Sequence, residues 1–234
     1  MEEYLQATWY LDCDDPAVRD YAARHAGDGS AREQAVRLYH VVRDAIRYDP
    51  YGMRFEPAYF RASAVLGRER DFCIPKALLL AALARARGIP ARLGFADVRN
   101  HLATPRLLKA MGTDLFVYHG YTELYLEGKW LKATPAFNLG LCRKAGIRPL
   151  EFDGRSDSIF HPYDRSGRQH MEYVRDHGSY ADLPYGEILA AMREAYPAMF
   201  RGGAAVPDGD FEAELADGGR RPGRAVRRSR SARA

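Results

Sequence analysis

The sequence predicts an α+β domain in which one buried central helix packs on an antiparallel β-sheet. Helical patterns fill the first part of the chain and strand patterns follow them, an order that favours α+β over alternating α/β folds. Residues Ile74 to Ala86 are apolar nearly all round, which is typical of a helix buried on most sides. Residues Phe116 to Leu126 are aromatic and β-branched with period two, which is typical of a strand.

Two helices are predicted before the central one. Asp14, Asp15 and Pro16 combine an acidic cap with a proline in the first turn, so we expect a short helix from here to about residue 25. Ser30 is the predicted cap of a second helix, residues 31–47, and Glu33 three residues later completes a capping box. A short helical turn is expected over residues 63–66.

The central helix and the strands follow in order. Pro75 suits the first turn of a helix because it lacks an N–H group, and Gly88 suits the end. We predict strands over residues 91–98, 116–126 and 129–134, and a last helix over residues 183–196. If Glu127 and Gly128 form the hairpin turn, paired residue numbers sum to 255, and the ladder runs on from there towards Asn138.

Length and charge suggest one domain with a separate tail. A chain of 234 residues that is 47% hydrophobic suits a single domain with a sizeable core, which we place over residues 1–200. We assign residues 201–234 to a linker and a disordered, Arg-rich tail. Residues 218–234 hold seven arginines and no acid, so removing them changes the net charge from +4 to −3. Such a block is usually solvated, and nucleic-acid binding is not expected.

Other features of the sequence limit the expected cellular location of the protein and the chemistry of its site. No apolar run reaches membrane-spanning length, and the acidic, aromatic start is unlike a signal peptide. The cysteines Cys13, Cys73 and Cys142 are too few and too scattered for a disulfide framework or a zinc knuckle. We therefore expect a cytoplasmic protein without metal or cofactor.

Cys73 stands at the start of the apolar helix. The first turn of a helix has free N–H groups and a partial positive charge, which stabilise a thiolate and lower its pKa below the usual value of about 8.5. The same N–H groups can hold the oxyanion that forms when a thiolate attacks a carbonyl. The alternative is that Cys73 is an ordinary buried core residue.

His119 is the candidate base. It lies on the clearest strand, and Gly120 beside it allows another backbone or a substrate to approach closely. The predicted register pairs His119 with Ala136, which makes Thr134 and Asn138 its diagonal neighbours. Either of the two could orient the imidazole of a Cys–His pair. A hydrogen-bonded core histidine is the alternative.

Three features stand together here. A cysteine opens an apolar helix that ends in GIPARLGF, a histidine follows 46 residues later on a strand, and the return strand reads WLKATP. Upstream lies LYHVVRDAIRYDPY, residues 38–51. Over roughly residues 30–140 this pattern resembles the core of the transglutaminase-like superfamily, which shares the papain-like cysteine-protease fold, and in particular a bacterial subset of uncertain function.

The resemblance implies Cys73 as nucleophile and His119 as base, with an acid fifteen residues after the histidine. That position holds Thr134, so the chain departs from the family pattern. A neutral side chain can still orient an imidazole, and we predict Asn138 for this role, with Thr134 second. An acid from elsewhere, such as Asp153, is a further alternative.

The implied chemistry is acyl transfer. The thiolate attacks an amide, ester or thioester carbonyl, and an amine or water then takes the acyl group from the acyl-thioester. The expected partner is a peptide, amide or thioester substrate, either free or in carrier-bound form. Some bacterial relatives act on thioesters that are bound to a carrier. The alternatives are a cysteine peptidase or amidase on the same fold, and a non-catalytic peptide-binding domain that has lost its triad acid.

Four further residues are assigned to substrate binding or to the surface around the site. We predict that His101 and Tyr121 bind substrate. Lys76 and Arg92 flank the central helix and could hold an anionic substrate, or lay their stems along apolar surface with the charge in water.

Overall fold

A buried helix and an antiparallel sheet form the centre of the structure, a computed structural model that describes residues 1–101, 103–200 and 209–218. The helices are α1 (Pro16–Ala26), α2 (Ala31–Ala45), α3 (Ala62–Val65), α4 (Cys73–Ala86), α5 (Pro105–Met111), α6 (Leu139–Ala145), α7 (Tyr185–Ala195), α8 (Pro197–Phe200) and α9 (Phe211–Gly218). The strands are β1 (Arg47–Tyr48), β2 (Arg70–Asp71), β3 (Ala91–Asn100), β4 (Leu115–Leu126), β5 (Lys129–Ala133) and β6 (Met171–Tyr180). The predicted α+β class is confirmed.

The sheet is four-stranded and antiparallel, in the order β5-β4-β3-β6. Helix α4 packs against β3 and β4 on one side and against α1, α2 and α3 on the other. Every residue from Cys73 to Arg85 is buried, as the all-round apolar pattern predicts. None of the described helices is long and apolar enough to span a bilayer.

The predicted helix starts are confirmed. The Asp15 carboxylate accepts a hydrogen bond from the Ala17 N–H at 2.8 Å at the start of α1. At α2 the Ser30 hydroxyl accepts from the Glu33 N–H, and the Glu33 carboxylate accepts from the Ser30 N–H, which completes the capping box. These local bonds satisfy N–H groups that a helix leaves free at its first turn.

The hairpin register is confirmed over β4 and β5, but the ladder is shorter than expected. Pairs run from Leu126 and Lys129 to Thr122 and Ala133, each summing to 255. Beyond Ala133 the chain leaves β4, because Pro135 has no N–H to donate and the Thr134 N–H donates to the Ser158 carbonyl at 3.0 Å. The predicted pairing of His119 with Ala136, and any continuation of the ladder to Asn138, is therefore wrong.

Strand β4 contains a bulge just before His119. Ala96 pairs with His119 and Val98 with Phe116, so both Val117 and Tyr118 lie opposite Asp97. Tyr118 has a left-handed backbone, with φ of 52°, which costs a non-glycine residue on the order of 1–2 kcal/mol. Surrounding contacts have to hold such a conformation in place.

The chain beyond residue 200 contributes a helix to the fold. Within the predicted linker, α9 carries Phe211, which is buried against the rings of Tyr48 and Tyr51 at centroid distances of 5.7 and 6.2 Å. The Tyr51 hydroxyl donates to the Glu214 carboxylate at 2.6 Å. Most of the Arg-rich tail, residues 219–234, lies outside the described residues, and the domain boundary at residue 200 stays a prediction.

Lys76 is a structural residue inside the core. Its side chain is fully buried, and Nζ donates to the carbonyls of Arg43, at 2.9 Å, and Ile46. These carbonyls lie at the end of α2, so Lys76 ties α2 to α4. Burial lowers the pKa of Lys76 to about 7. Both alternatives given for Lys76 are therefore wrong, because its amino group neither reaches a substrate nor extends into water.

Gly120 marks the closest approach of α4 to the sheet. A Cβ atom at Gly120 would lie 3.1 Å from the Ile74 Cα and 3.4 Å from the Phe95 ring. The backbone at Gly120 has no positive φ, so the space and not the conformation requires glycine here. The first turn of α4 thus rests directly on β4, as the sequence suggested for this glycine.

Lys76→Met should change how stability depends on pH. The folded-state pKa of about 7 lies below the unfolded value of 10.5, so between these values the unfolded chain binds the extra proton and wild-type stability rises with pH. One such group adds at most about 1.4 kcal/mol per pH unit. Urea unfolding at pH 7, 8 and 9 should show the variant losing this rise. An equal rise of the unfolding free energy with pH in the two proteins would contradict the lowered pKa of Lys76.

Gly120→Ala should destabilise the fold, because the added methyl group meets the backbone of α4 and not a movable side chain. Overpacking of this kind costs roughly 1–3 kcal/mol, measurable by chemical denaturation. The matched control is Gly186→Ala, in the first turn of α7, where an added Cβ meets nothing within 4 Å. The control should keep or slightly raise stability, and equal losses in both variants would refute the packing argument.

Candidate active site

Cys73 is the first residue of α4, directly after the N-cap residue Phe72. Burial raises the pKa of the Cys73 thiol to about 12, although hydrogen bonds from the main chain of Gly120, Ile74 and Cys73 itself act to lower it. The helix start therefore supplies the predicted N–H groups. The expected pKa below 8.5 is wrong, because loss of water around the sulfur outweighs those hydrogen bonds.

His119 lies on β4 next to Gly120, where the first turn of α4 packs on the strand. The imidazole is buried and packs edge-on against the Phe160 ring at a centroid distance of 4.9 Å. Burial lowers the pKa of His119 to about 3, so the ring is neutral near pH 7. Among the described residues its Nε2 has no hydrogen-bond partner. The structure thus places the strand that carries His119 next to the start of α4, where Cys73 lies. The thiol and the imidazole are both uncharged.

The two residues predicted to orient His119 have different surroundings. Asn138 is the residue before α6, and its Oδ1 accepts from the Tyr48 N–H at 3.0 Å. Thr134 is buried, its carbonyl accepts from the Tyr39 hydroxyl at 3.1 Å, and its own hydroxyl has no partner in the described part of the chain. Asn138 therefore uses its acceptor elsewhere, while the Thr134 hydroxyl stays available. The orienting role of either residue stays a prediction.

Tyr121 lies two residues after His119 on β4, and hence on the same face of the sheet. It lines a cleft of about 360 Å³ together with Ala96, Lys132, Ile159, Tyr173, Val174, Arg175 and Asp176. Lys132 stands over the Tyr121 ring, with Nζ 4.8 Å from the centroid. The cleft combines aromatic walls with charged groups, as small-ligand and peptide sites do.

His101 follows the end of β3 and is exposed. Its Nε2 lies 3.2 Å from the Glu172 carboxylate, and its N–H donates to the His170 carbonyl at 2.9 Å. These contacts attach the turn after β3 to the start of β6. The substrate-binding roles of His101 and Tyr121 both stay predictions.

Two other residues considered from the sequence have structural partners. Arg92 forms an ion pair with Glu123 and stands over the Trp130 ring at 4.2 Å, so its charge is already compensated. Asp153 is exposed and accepts from the N–H groups of Arg155 and Ser156 at 2.8 and 2.9 Å. It caps a turn with these bonds, and none of its hydrogen bonds reaches His119.

A hydrogen-bonded pair beside the site was not predicted from the sequence. His177 Nε2 on β6 lies 2.7 Å from Asp97 Oδ1 on β3, and both side chains are largely buried. The same oxygen accepts from the Tyr118 N–H at 3.0 Å. The available signal was Asp97 itself, because aspartate is depleted inside strands and needs a partner there. Within the described residues no three His, Cys, Asp or Glu side chains are arranged to hold a metal ion.

Comparison with known proteins agrees with the resemblance in the sequence. The transglutaminase-like superfamily matches residues 19–135, which is half of the chain. The match includes Cys73 and His119 and ends directly after Thr134. Among solved structures, a candidate cysteine protease from Cytophaga hutchinsonii superposes with a TM-score of 0.43 at 15% identity. That alignment covers 76% of this chain and 53% of the other, so this chain spans about half the length of that protein. No curated protein matches the chain.

The match over half of the chain supports the predicted papain-like, transglutaminase-like core and cysteine-based catalysis as its broad chemistry. Helix α4 with Cys73 at its start, packed on the hairpin that carries His119, is the arrangement that the resemblance implied. The chain therefore belongs to the transglutaminase-like superfamily.

Proposed function

We propose that this chain is a cysteine-dependent enzyme that transfers or hydrolyses an acyl group through an acyl-thioester on Cys73, with His119 as the base. One observation carries the proposal. Cys73 begins the helix whose first turn packs on β4 at Gly120, the residue next to His119, and the Nε2 of that buried imidazole has no partner among the described residues. Leaving a buried ring nitrogen unpaired costs free energy, and catalytic sites are where proteins accept that cost.

The proposed reaction has two steps. The Cys73 Sγ–H proton passes to the neutral His119 imidazole while the sulfur attacks the carbonyl carbon, and N–H groups of the first turn of α4 face the developing oxyanion. The imidazolium then gives its proton to the leaving amine, alcohol or thiol as the bond to the acyl carbon breaks. In the second step an amine or water gives a proton to the imidazole and attacks the thioester carbon, and the Cys73 thiolate leaves and takes that proton back.

Burial decides the charge state from which this reaction starts. The pKa of the thiol is raised to about 12 and that of the imidazole is lowered to about 3, so the resting pair is neutral. Substrate and water entering the site would reverse both shifts, because solvation favours the charged forms. Proton transfer is therefore expected to accompany substrate binding.

The proposed substrate is a peptide, amide or thioester group, either free or attached to a carrier. The cleft lined by Tyr121 supports this proposal, since it lies on the His119 face of the sheet and its volume suits a short segment of this kind. A cysteine peptidase or amidase is the hydrolytic form of the same proposal. It differs from the transferase only in using water instead of an amine as the acceptor.

A non-catalytic peptide-binding domain is the second candidate function. Two observations favour it: Thr134 stands where the family pattern has an acid, and the thiol of Cys73 is held in its protonated form. The presence of both Cys73 and His119 favours the enzyme. The two candidates differ in whether Cys73 ever carries an acyl group.

Incubation of the full chain with an activated acetyl thioester should place an acetyl group on Cys73, detectable by intact mass and peptide mapping. His119→Ala should slow this step by about 10²- to 10⁴-fold, the usual contribution of a general base. Addition of an alkylamine then separates transfer from hydrolysis, since an amide product identifies a transferase and acetate alone a hydrolase.

Cys13→Ser and Cys142→Ser are the matched controls, because both thiols are also buried with raised pKa values. Acetylation should proceed at the wild-type rate in both. Slow, equal acetylation of all three cysteines, unaffected by His119→Ala, would refute the enzyme and support the binding domain.

Thr134→Val should separate stability from reactivity. The variant removes a buried hydroxyl without a partner, so the free energy of unfolding should rise by roughly 1 kcal/mol. If the hydroxyl orients His119, acetylation of Cys73 should slow at the same time, whereas Thr134→Ser should keep the wild-type rate. Acetylation at the wild-type rate in Thr134→Val would exclude Thr134 as the orienting group.

A further inference from the structure

The bulge before His119 is held by side chains instead of by the neighbouring strand. The Val117 N–H donates to the Tyr196 hydroxyl at 2.6 Å, and that hydroxyl donates to the Leu115 carbonyl at 3.1 Å. The Tyr118 N–H donates to Asp97 Oδ1 at 3.0 Å. Both bulged residues thus have their N–H groups bound by buried side chains, which fixes a segment that ladder hydrogen bonds leave free.

Asp97 is itself fixed in place. His177 Nε2 lies 2.7 Å from the oxygen that accepts from Tyr118, and the His177 ring stacks on the Tyr118 ring at 3.9 Å with 19° between the planes. Asp97, His177 and Tyr118 therefore form a closed set of contacts across β3, β6 and β4. The Asp97 and His177 side chains are only 11% and 8% exposed, so water competes little for these bonds.

These contacts between Asp97, His177 and Tyr118 affect the backbone at His119, the residue after Tyr118. Tyr118 has the left-handed backbone and His119 comes next, so a return of Tyr118 to extended geometry would rotate the peptide that carries the imidazole. Bulges beside active sites commonly direct a side chain in this way. We infer that Asp97 is a positioning residue for His119: supported by His177, it holds the bulge that fixes the orientation of the imidazole. This inference rests on the proposed role of His119.

The experiment compares two substitutions that remove the same charge. Asp97→Asn keeps an oxygen that can accept from the Tyr118 N–H, whereas Asp97→Ala removes the acceptor. The control is Asp114→Asn, which removes the charge of another carboxylate next to the same sheet, 2.5 Å from Arg99. Two readouts are taken on the full chain: the NMR signal of the His119 ring, assigned with His119→Ala, and the rate of Cys73 acetylation by the thioester.

Asp97→Ala should shift the His119 ring signal and slow acetylation by about 10- to 100-fold, the expected effect of misplacing a catalytic group by around 1 Å. Asp97→Asn should stay within about threefold of wild type, and Asp114→Asn should match it. Because asparagine tolerates the left-handed backbone better than tyrosine, Tyr118→Asn combined with Asp97→Ala should recover part of the lost rate.

An unchanged His119 signal and rate in Asp97→Ala would overturn the inference. Equal losses in Asp97→Asn and Asp97→Ala would also overturn it, because the carboxylate would then act through its charge. If Asp97→Ala fails to fold, Tyr118→Gly, which frees the bulge, takes its place, and a wild-type His119 signal and acetylation rate in that variant would overturn the inference. Failure of the proposed function gives a different result. His119→Ala then leaves the acetylation rate unchanged, while Asp97→Ala still shifts the His119 ring signal.

Discussion

The first turn of α4 lies against β4 at a residue without a side chain, and the geometry of the site depends on this contact. With only 3.1 Å between the Ile74 Cα and a would-be Cβ at Gly120, helix and strand touch backbone to backbone. That approach places the start of α4, where Cys73 lies, beside the strand residue next to His119. Cys73 and His119 are both buried, so the packing around them excludes water from both groups. The same packing that assembles the pair therefore determines that both members are uncharged at rest.

Buried basic side chains connect the helices and strands around this contact. Lys76 donates to carbonyls at the end of α2, and Arg85 donates to the Ala91 carbonyl at 3.0 Å and the Gln6 carbonyl at 2.6 Å. Carbonyls at the ends of helices and strands have no partner within their own element, so a long basic side chain is an efficient donor to them. Lys76 is one of the residues that the sequence offered for substrate binding, and burial gives it a structural role.

The parts of the fold that the sequence could predict are those set by local chemistry. Helix caps, the all-round apolar α4 and the register of the β4–β5 hairpin each depend on residues near one another in the chain. The bulge at Val117 and Tyr118 depends instead on Asp97 and His177, which lie some 20 and 60 residues away in sequence. The docking of α9 through Phe211 depends on aromatic residues about 160 positions earlier.

The candidate site also has features that the sequence could predict and features that it could not. Its position followed from a cysteine at a helix start and a histidine on a strand, and family membership supports that chemistry. The pKa of Cys73 could not be predicted, because the helix start and the burial act in opposite directions and only the three-dimensional packing decides between them. The orienting partner could not be predicted either, since Pro135 ends the ladder on which that prediction depended.

The burial of Cys73 has a consequence for any reagent or substrate that meets the folded chain. With 8% of the residue exposed, access of a molecule to the sulfur depends on transient opening of the surrounding packing. Once such a molecule is abundant, the rate of modification is set by the frequency of opening and no longer by its concentration. Conditions that loosen the contact between α4 and β4 would then speed up modification even if the intrinsic reactivity of the sulfur stayed the same.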